Sequence, residues 1–475
     1  MSASCHNPLL EPKPESAMAR LEEFLARRRQ ARKPVEDLEA FERQLHALFA
    51  AAECEAVAEE LSRFDVNAPV VMIDGVAHRQ VLRCEESYVS AAGPLRVQRS
   101  LYSTRQEAER AVCPMELRAG IIEGRWTPLA ARQATWVVAH LTPQEGEDLF
   151  AMLGGMSPSK SSLDRLPKQI GARWEKSREQ FEESLRQGER IPRGAVTMAV
   201  SLDGVMVPMK DGERQRKRAE AAEQGRLTRG PAGHAEAGCA TVSYYDRDGQ
   251  RLKTIRLGRM PEHKKTTLKA MLADEVAWAR TRKPSLRFVK IADGARDNWT
   301  YLDEDVPEGP GIVDFYHAAE HLKASLEVAY GEASPKAHAQ FGKLRQVLLE
   351  ERKGVDKVIR ALVHLRDTHP RSTKIETELW YFRRNRHRMR YAQWKAKHLP
   401  IGSGVVEAAC KTLVTQRMKR SGMRWRHEGG QAILTLRALA QSDRFERGWN
   451  LLAATYRKTV SLSRNVVAFA PRPSA

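Results

Sequence analysis

Cysteine is scarce and scattered in this chain. Cys5, Cys54, Cys84, Cys113, Cys239 and Cys410 form no CxxC pair and no Cys/His cluster at zinc-ligand spacing. The pattern argues against a disulfide-stapled scaffold and against a zinc module, so the six read as reduced thiols, mostly buried. Long apolar runs are missing too. No stretch approaches the ~20 residues of a membrane span, and the opening MSASCHNPLLEPKPES lacks the apolar core of a signal peptide. The chain is therefore expected in the cytosol. Acidic residues are outnumbered, 60 Asp and Glu against 79 Lys and Arg, for a net charge of +19. That balance favours a polyanionic partner over a small neutral metabolite, with nucleic acid first. Solvated basic faces and anionic membranes give the same sign, so the placement of the charge has to decide.

With 475 residues, 42% of them hydrophobic, there is enough chain for two or three cored domains. Residues 1–17 are Pro- and Ser-rich and expected to be disordered. Over 18–66 the periodicity is helical: Leu21, Phe24 and Leu25 share one face, as do Leu45, Leu48 and Phe49. An antiparallel hairpin, a dimerisation arm and a packed helical cap all fit. Residues 67–115 hold a small β-meander, with alternating runs between Val70 and Ser103 broken by Gly75 and by Ala91-Ala92-Gly93-Pro94. Residues 116–190 are helical again. There GMSPSKSSLDRLPKQIGARWEK resembles the second half of a helix-turn-helix, with Ser157 or Ser159 as cap and Lys160 and Arg165 offered to a duplex. A purely structural turn is the competing reading.

From 195 to about 450 the order of elements is informative. AVTMAVSLDGVMVP is a strand, GCATVSYYDRDGQRLKTIRLG a hairpin around Asp248-Gly249, HKKTTLKAMLADEVAWART a helix, and SLRFVKIADGA and GIVDFYH two more strands. Three paired strands, a helix and two further strands give an RNase H-like order. The fold class is thus α/β: an RNase H-like catalytic domain with a large helical insertion at about 318–397, preceded by a mostly helical region with a small meander. Residues 451–475 are left as a C-terminal tail.

Two aspartates in that domain need a reason. Asp203 lies in the apolar strand Ala199–Met206, and Asp293 follows Phe288-Val289-Lys290-Ile291-Ala292. A carboxylate at such a place is costly to bury unless it is paired or holds a metal. Each is also followed by glycine, and Asp-Gly is a common turn pair. Their placement on neighbouring central strands weakens the turn reading. Glu407, in IGSGVVEAACKTLVTQRMKRSGMRW, supplies a third oxygen donor beside the apolar series Val406, Cys410 and Val414. Helix-dipole compensation and an i,i+4 pair with Lys411 would also account for it. Phosphodiester chemistry calls for two hard cations held by carboxylates, and these three residues are the candidates.

The segments SLDG at Asp203, IADGARDNW at Asp293, DFYHAAEHL at Asp314 and His317, and GSGVVEAACKTLVTQRMKRSGMRW at Glu407 resemble, in order, DDE insertion-sequence transposases of the ISKra type, related in catalytic layout to Mutator-like transposases. The resemblance covers roughly residues 195–450. It implies that Asp203, Asp293 and Glu407 bind two Mg2+ ions, with Mn2+ able to substitute, and that His317 contacts the scissile phosphate or orders a water. An N-cap at Asp314 with a half-buried histidine is the plainer reading of that pair. Some relatives carry paired cysteines before the catalytic domain. Here only Cys84 and Cys113 stand there, well apart, and no zinc is expected.

The charge is concentrated around Glu407. Residues 371–430 hold fifteen Lys and Arg against four Asp and Glu, interleaved with Trp380, Tyr381, Phe382, Tyr391, Trp394 and Trp425. Arg383, Arg384, Arg386, Arg388 and Arg390, with Arg417, Lys419, Arg420 and Arg424, are candidate phosphate contacts. The expected activity is that of a DNA transposase acting on transposon ends and target DNA as a homo-oligomer. The alternatives are an RNase H-like nuclease or resolvase without strand transfer, and a catalytically inactive DNA-binding descendant.

Overall fold

The computed structural model describes residues 16–104, 111–210, 212–226, 233–307 and 309–462. The chain divides into two units, Met1–Lys176 with Glu446–Ala475, and Ser177–Phe445. Most of the expected disordered start, 1–15, lies outside the described residues, as does 463–475 of the expected tail.

In the first unit, α1 (Ala17–Gln30) packs on α2 (Leu38–Ser62), with Phe24 stacked on Phe41 at 5.7 Å. A meander of β1 (Val70–Ile73), β2 (Val76–Val89) and β3 (Pro94–Ser103) follows. Its first turn is Asp74-Gly75, both at positive φ, the geometry of a tight hairpin. Helices α3 (Pro114–Ala119), α4 (Pro128–His140), α5 (Pro143–Leu153) and α6 (Lys160–Lys176) complete the segment. Of the two candidate caps for α6, Ser159 serves: its hydroxyl accepts from Ser162 N at 3.4 Å.

The second unit starts with α7 (Arg178–Gln187) and is built on β4 (Thr197–Pro208), α8 (Gly212–Glu223), β5 (His234–Tyr245), β6 (Arg251–Arg259), α9 (Thr266–Arg282), β7 (Arg287–Ala292), α10 (Arg296–Asp305) and β8 (Gly311–Val313). The sheet order is β6-β5-β4-β7-β8, antiparallel from β6 to β4 and parallel from β4 to β8. Met198, Val200 and Leu202 on β4 and Ala240, Val242 and Tyr244 on β5 pack with Leu268, Leu272 and Val276 of α9. Val207, Ala237 and Cys239 join a separate cluster. Both faces are covered, which is why these strands read as continuous apolar runs rather than alternating ones.

A helical block follows: α11 (Phe315–Tyr330), α12 (Pro335–Glu350), α13 (Gly354–Thr368), α14 (Thr373–Asn385) and α15 (Tyr391–Lys395). From α11 to α14 neighbours in this series pack together, α14 returns onto α11, and α15 lies against α12. Then α16 (Gly404–Ala409) runs through a π-helical stretch, Cys410–Thr415, into α17 (Gln416–Met418), and α18 (His427–Gln441) lies across β6. The chain ends with α19 (Phe445–Ala454) and β9 (Val460–Leu462), which pairs antiparallel with β1. Part of the expected tail is thus a fourth strand of the meander; three residues are too short to signal a strand on their own.

Buried in the second unit, Arg444 bonds Glu189 through Nε at 2.8 Å and Glu275 through Nη1 and Nη2 at 2.5 and 3.0 Å, all three side chains being at most 5% exposed. Lys253 also bonds Glu189. Burial alone would raise the Glu189 carboxyl, but Lys253 and Arg444 outweigh it and bring it down from 4.5 to about 2. A depressed carboxyl stabilises the fold above its unfolded value and loses that contribution as pH falls towards the folded one. Arg444→Met leaves two buried carboxylates without their guanidinium. It should cost about 3–5 kcal/mol, read as a lower urea midpoint at unchanged m-value. Wild-type stability should fall between pH 4.5 and about 2, and an Arg444→Met variant whose midpoint matches wild type would refute the account.

Candidate active site

Asp203 and Asp293 stand at the same end of two adjacent strands. β4 and β7 run parallel, with Thr197 opposite Arg287 through to Ser201 opposite Ile291. Asp203 comes two residues beyond the last of these pairs on β4, and Asp293 directly follows Ala292, where β7 ends. Both are half-buried and both line one cavity of about 760 Å3. Asp203 Oδ1 accepts from Gly204 N at 2.7 Å, and Oδ2 accepts from the Cys410 thiol at 3.4 Å. Asp293 is held more firmly: Oδ1 accepts from Ala295 N and Asn298 Nδ2, both at 3.1 Å, and its carbonyl accepts from Trp299 Nε1 at 2.6 Å.

Glu407 comes from the face of the sheet opposite α9, the face that Asp203 shares with Val207. Val406, Ala409, Cys410, Leu413 and Val414 cluster with Val207, Ala237 and Cys239, seating α16 on β4 and β5. Glu407 is 44% exposed; Oε1 accepts from Ser403 Oγ at 2.6 Å and stands 3.7 Å from His317 Nε2. Cys410, three residues along the same helix, is the link to Asp203. The Asp203–Asp293 cavity is not lined by Glu407. Among the described residues no three His, Cys, Asp or Glu side chains form a ready-made metal cluster.

Asp314 joins these pieces. It is fully buried, caps α11 by accepting from His317 N at 2.8 Å, and also accepts from Ser403 N. Phe315 N donates to Ile401 O at 3.0 Å, and a Cβ on Gly402 would lie 3.0 Å from the Tyr316 ring. The glycine-rich entry to α16 is therefore clamped against the end of β8.

Several residues here escaped the sequence reading. His321 lies one turn after His317 on α11; its Nδ1 is 2.5 Å from Glu378, which also pairs with Lys374 at 2.8 Å. Burial would raise the Glu378 carboxyl, yet the His321 and Lys374 contacts outweigh it and hold it below the ordinary range. Tyr381 stacks on His321 at 3.7 Å, and its ring fills the space that a Cβ on Gly294 would need. Its hydroxyl has no hydrogen-bond partner among the described residues, and burial, with Asp293, Asp314 and Glu378 nearby, pushes it up. The i,i+4 spacing of His317 and His321 was the available signal; Tyr381 stood out only as one of the aromatics among the basic residues, and Glu378 had no signal. Glu236 was also missed: it lines the cavity and leans over Gly204, where a Cβ would meet its carboxyl.

The expected phosphate contacts divide. Lys160, Arg165, Arg383, Arg384, Arg386, Arg390, Lys419, Arg420 and Arg424 are exposed. Arg384 also bonds Gly294 O at 2.6 Å, and Arg386 pairs with Asp356 at 2.5 Å. Arg388 and Arg417 make contacts within the protein. Arg388 bonds Asp303 at 2.6 Å and lies 4.0 Å over Trp299, while Arg417 is 2% exposed and lies 5.3 Å from the Trp425 ring centre. Spacing along the sequence did not reveal that these two point inward.

No family model and no curated protein matches the chain. A solved structure to which it is similar is the Drosophila P element transposase strand transfer complex, at 11% identity over 69% of this chain and 80% of that one, with a TM-score of 0.25. A superposition that loose fixes neither fold nor activity.

Asp314→Ala removes the cap of α11 and frees Ser403 N inside the protein. The substitution should cost about 2–4 kcal/mol, a lost cap plus a buried unpaired donor, and should speed amide exchange at Ser403 more than at Val200 in the sheet centre. Equal exchange at both sites would show that the clamp is not what orders the entry to α16.

Proposed function

We propose that this chain is a DNA transposase whose second unit is an RNase H-like catalytic domain, with α11–α15 as its helical insertion. The observation that carries the reading is that Asp203, on β4, and Asp293, just past the end of the parallel neighbour β7, line one cavity, with the Glu407 helix packed on β4 and β5. The strand order, three antiparallel then two parallel, agrees with that fold. The basic residues 371–430 surrounding Glu407 favour a nucleic-acid substrate.

The donor chemistry fits hard divalent cations, Mg2+ or Mn2+. Asp203 Oδ2 meets only a thiol, and Asp293 Oδ2 and Glu407 Oε2 make no hydrogen bond among the described residues, so each carboxylate keeps an oxygen to offer. Bound there, two such ions would neutralise the phosphodiester and activate the attacking oxygen, water in cleavage and a DNA 3′-hydroxyl in joining. The protein's part is positioning. Asn298 and Ala295 N orient Asp293; Cys410 orients Asp203; Ser403 fixes Glu407. His317, 3.7 Å from Glu407, would donate to a phosphate oxygen or order a water. Exposed arginines at 383 and 390, with Lys419, Arg420 and Arg424, would track the duplex backbone, and Lys160 and Arg165 on α6 would add a contact from the first unit.

The test is a strand-transfer assay with Mg2+ or Mn2+ on labelled DNA bearing the element's own ends. Joined product from wild type should be lost in Asp203→Ala, Asp293→Ala and Glu407→Ala, by more than the roughly 10–100-fold that a lost outer-shell partner costs. Cleavage without joining would replace the proposal with a nuclease or resolvase, and end-specific binding with no metal-dependent product would replace it with an inactive DNA-binding descendant.

A further inference from the structure

The sequence periodicity predicts a helix from His263, but α9 begins only at Thr266. His263–Thr266 is instead a turn: Thr266 N and Thr266 Oγ1 both donate to His263 O. Its central residues are Lys264 at φ 51, ψ 22 and Lys265 at φ 56, ψ 35. Two successive left-handed residues are what Asn-Gly supplies in a tight turn, because a Cβ is unfavourable there. Lysine at both positions is strained, and the surroundings hold the strain in place. Glu262 Oε1 accepts from Leu268 N at 2.8 Å, fixing the turn to the first turn of α9. The Lys265 stem lies 3.6 Å from where a Gly238 Cβ would be, its Nζ is 3.2 Å from Glu236, and the side chain is 16% exposed.

The turn forms one wall of the cavity that holds Asp203 and Asp293, with Glu236 and Lys269 also lining it. Lys265 is pinned beside β5, where Gly238 pairs with Gly204 directly after Asp203. Lys264 is exposed and makes no ion pair among the described residues. A strained backbone at a site invites a functional account when the strain places particular side chains, and this one puts the exposed Lys264 and the Glu236-paired Lys265 on the lining of the cavity that also holds Asp203 and Asp293. A DNA phosphate approaching those carboxylates is repelled by them, and lysines on the same lining offset that repulsion.

We propose that Lys264 and Lys265 clamp a DNA backbone phosphate over the Asp203–Asp293 cavity. The clamp rests on the DNA reading above but not on catalysis, so binding without metal tests it. Full-length protein is titrated against a labelled duplex in EDTA at a series of KCl concentrations. Lys264→Asn/Lys265→Gly removes both charges and gives the turn residues that accept its geometry. It should leave the melting temperature unchanged or higher while the salt dependence becomes shallower by about 0.9 for each phosphate that is no longer neutralised. Lys264→Arg/Lys265→Arg should restore the slope, and Lys343→Ala, an exposed lysine on α12, should not alter it. Lys264→Gln alone, at an exposed position, should reproduce part of the effect if the double variant folds poorly. Wild type that binds duplex DNA with a slope untouched by Asn-Gly and by Gln overturns the clamp alone. Wild type that does not bind duplex DNA overturns the DNA reading and the clamp with it.

Discussion

The second unit is held in register by one buried carboxylate. Asp314 sits where β8 ends and α11 starts, and its oxygens take backbone N–H groups from His317 and Ser403. A carboxylate with no access to water is expensive unless its lone pairs are filled, so the two donors cannot leave without a large penalty. One donor belongs to the first turn of the helical block, the other to the loop that returns from it almost ninety residues later. The sheet edge, the start of the block and the entry to the Glu407 helix therefore move as one piece, and Ser403, held through its amide, turns its hydroxyl onto Glu407.

The same helix carries a second constraint. Its π-helical stretch Cys410–Thr415 breaks the regular i→i−4 ladder and leaves carbonyls in want of donors. Arg437, buried on α18, donates to Leu413 O at 2.9 Å and to Thr412 O. Burial lowers that guanidinium to about 10, still charged at neutral pH. The irregular turn lets Cys410 face Asp203 while Leu413 and Val414 remain in the core with Cys239. An arginine in an apolar setting is thus explained by the backbone it satisfies rather than by an anionic ligand.

These contacts explain what the sequence made legible. The strand of Asp203 and the one that leads to Asp293 were readable because burial on both faces writes itself as apolar runs, whereas β6, with Arg251, Lys253, Arg256 and Arg259, was readable from the turn before it. Local turn chemistry was readable at Asp248-Gly249, where Gly249 has φ 78, but failed at Lys264-Lys265, where tertiary packing imposes a conformation the residues do not prefer. Asp314 could be read as a cap from its position before a helix; its second partner, eighty-nine residues away, could not. Arg388 and Arg417 were counted with the surface cations because charge patterning carries no sign of a nearby Trp299 or Trp425. The strand β9 was lost for another reason: three residues gain their pairing from β1, not from any pattern of their own.

The electrostatics of the second unit operate on two length scales. The chain as a whole is strongly cationic, and such a field draws a polyanion from a distance, though salt confines it to about 10 Å at 0.1 M. At the cavity acid predominates: Asp203, Asp293, Glu236, Glu262, Asp297, Glu304 and Asp305 line it with Lys264, Lys265 and Lys269. If a duplex binds as proposed, repulsion between its phosphates and the cavity carboxylates would oppose that long-range attraction at a few ångströms. Divalent cations held there would reverse the local sign, and the exposed Lys264 ammonium would lower the barrier before any cation arrives. On that proposal the carboxylates would serve chemistry and the lysines approach, which makes a strained turn carrying two positive charges compatible with a site built around negative ones.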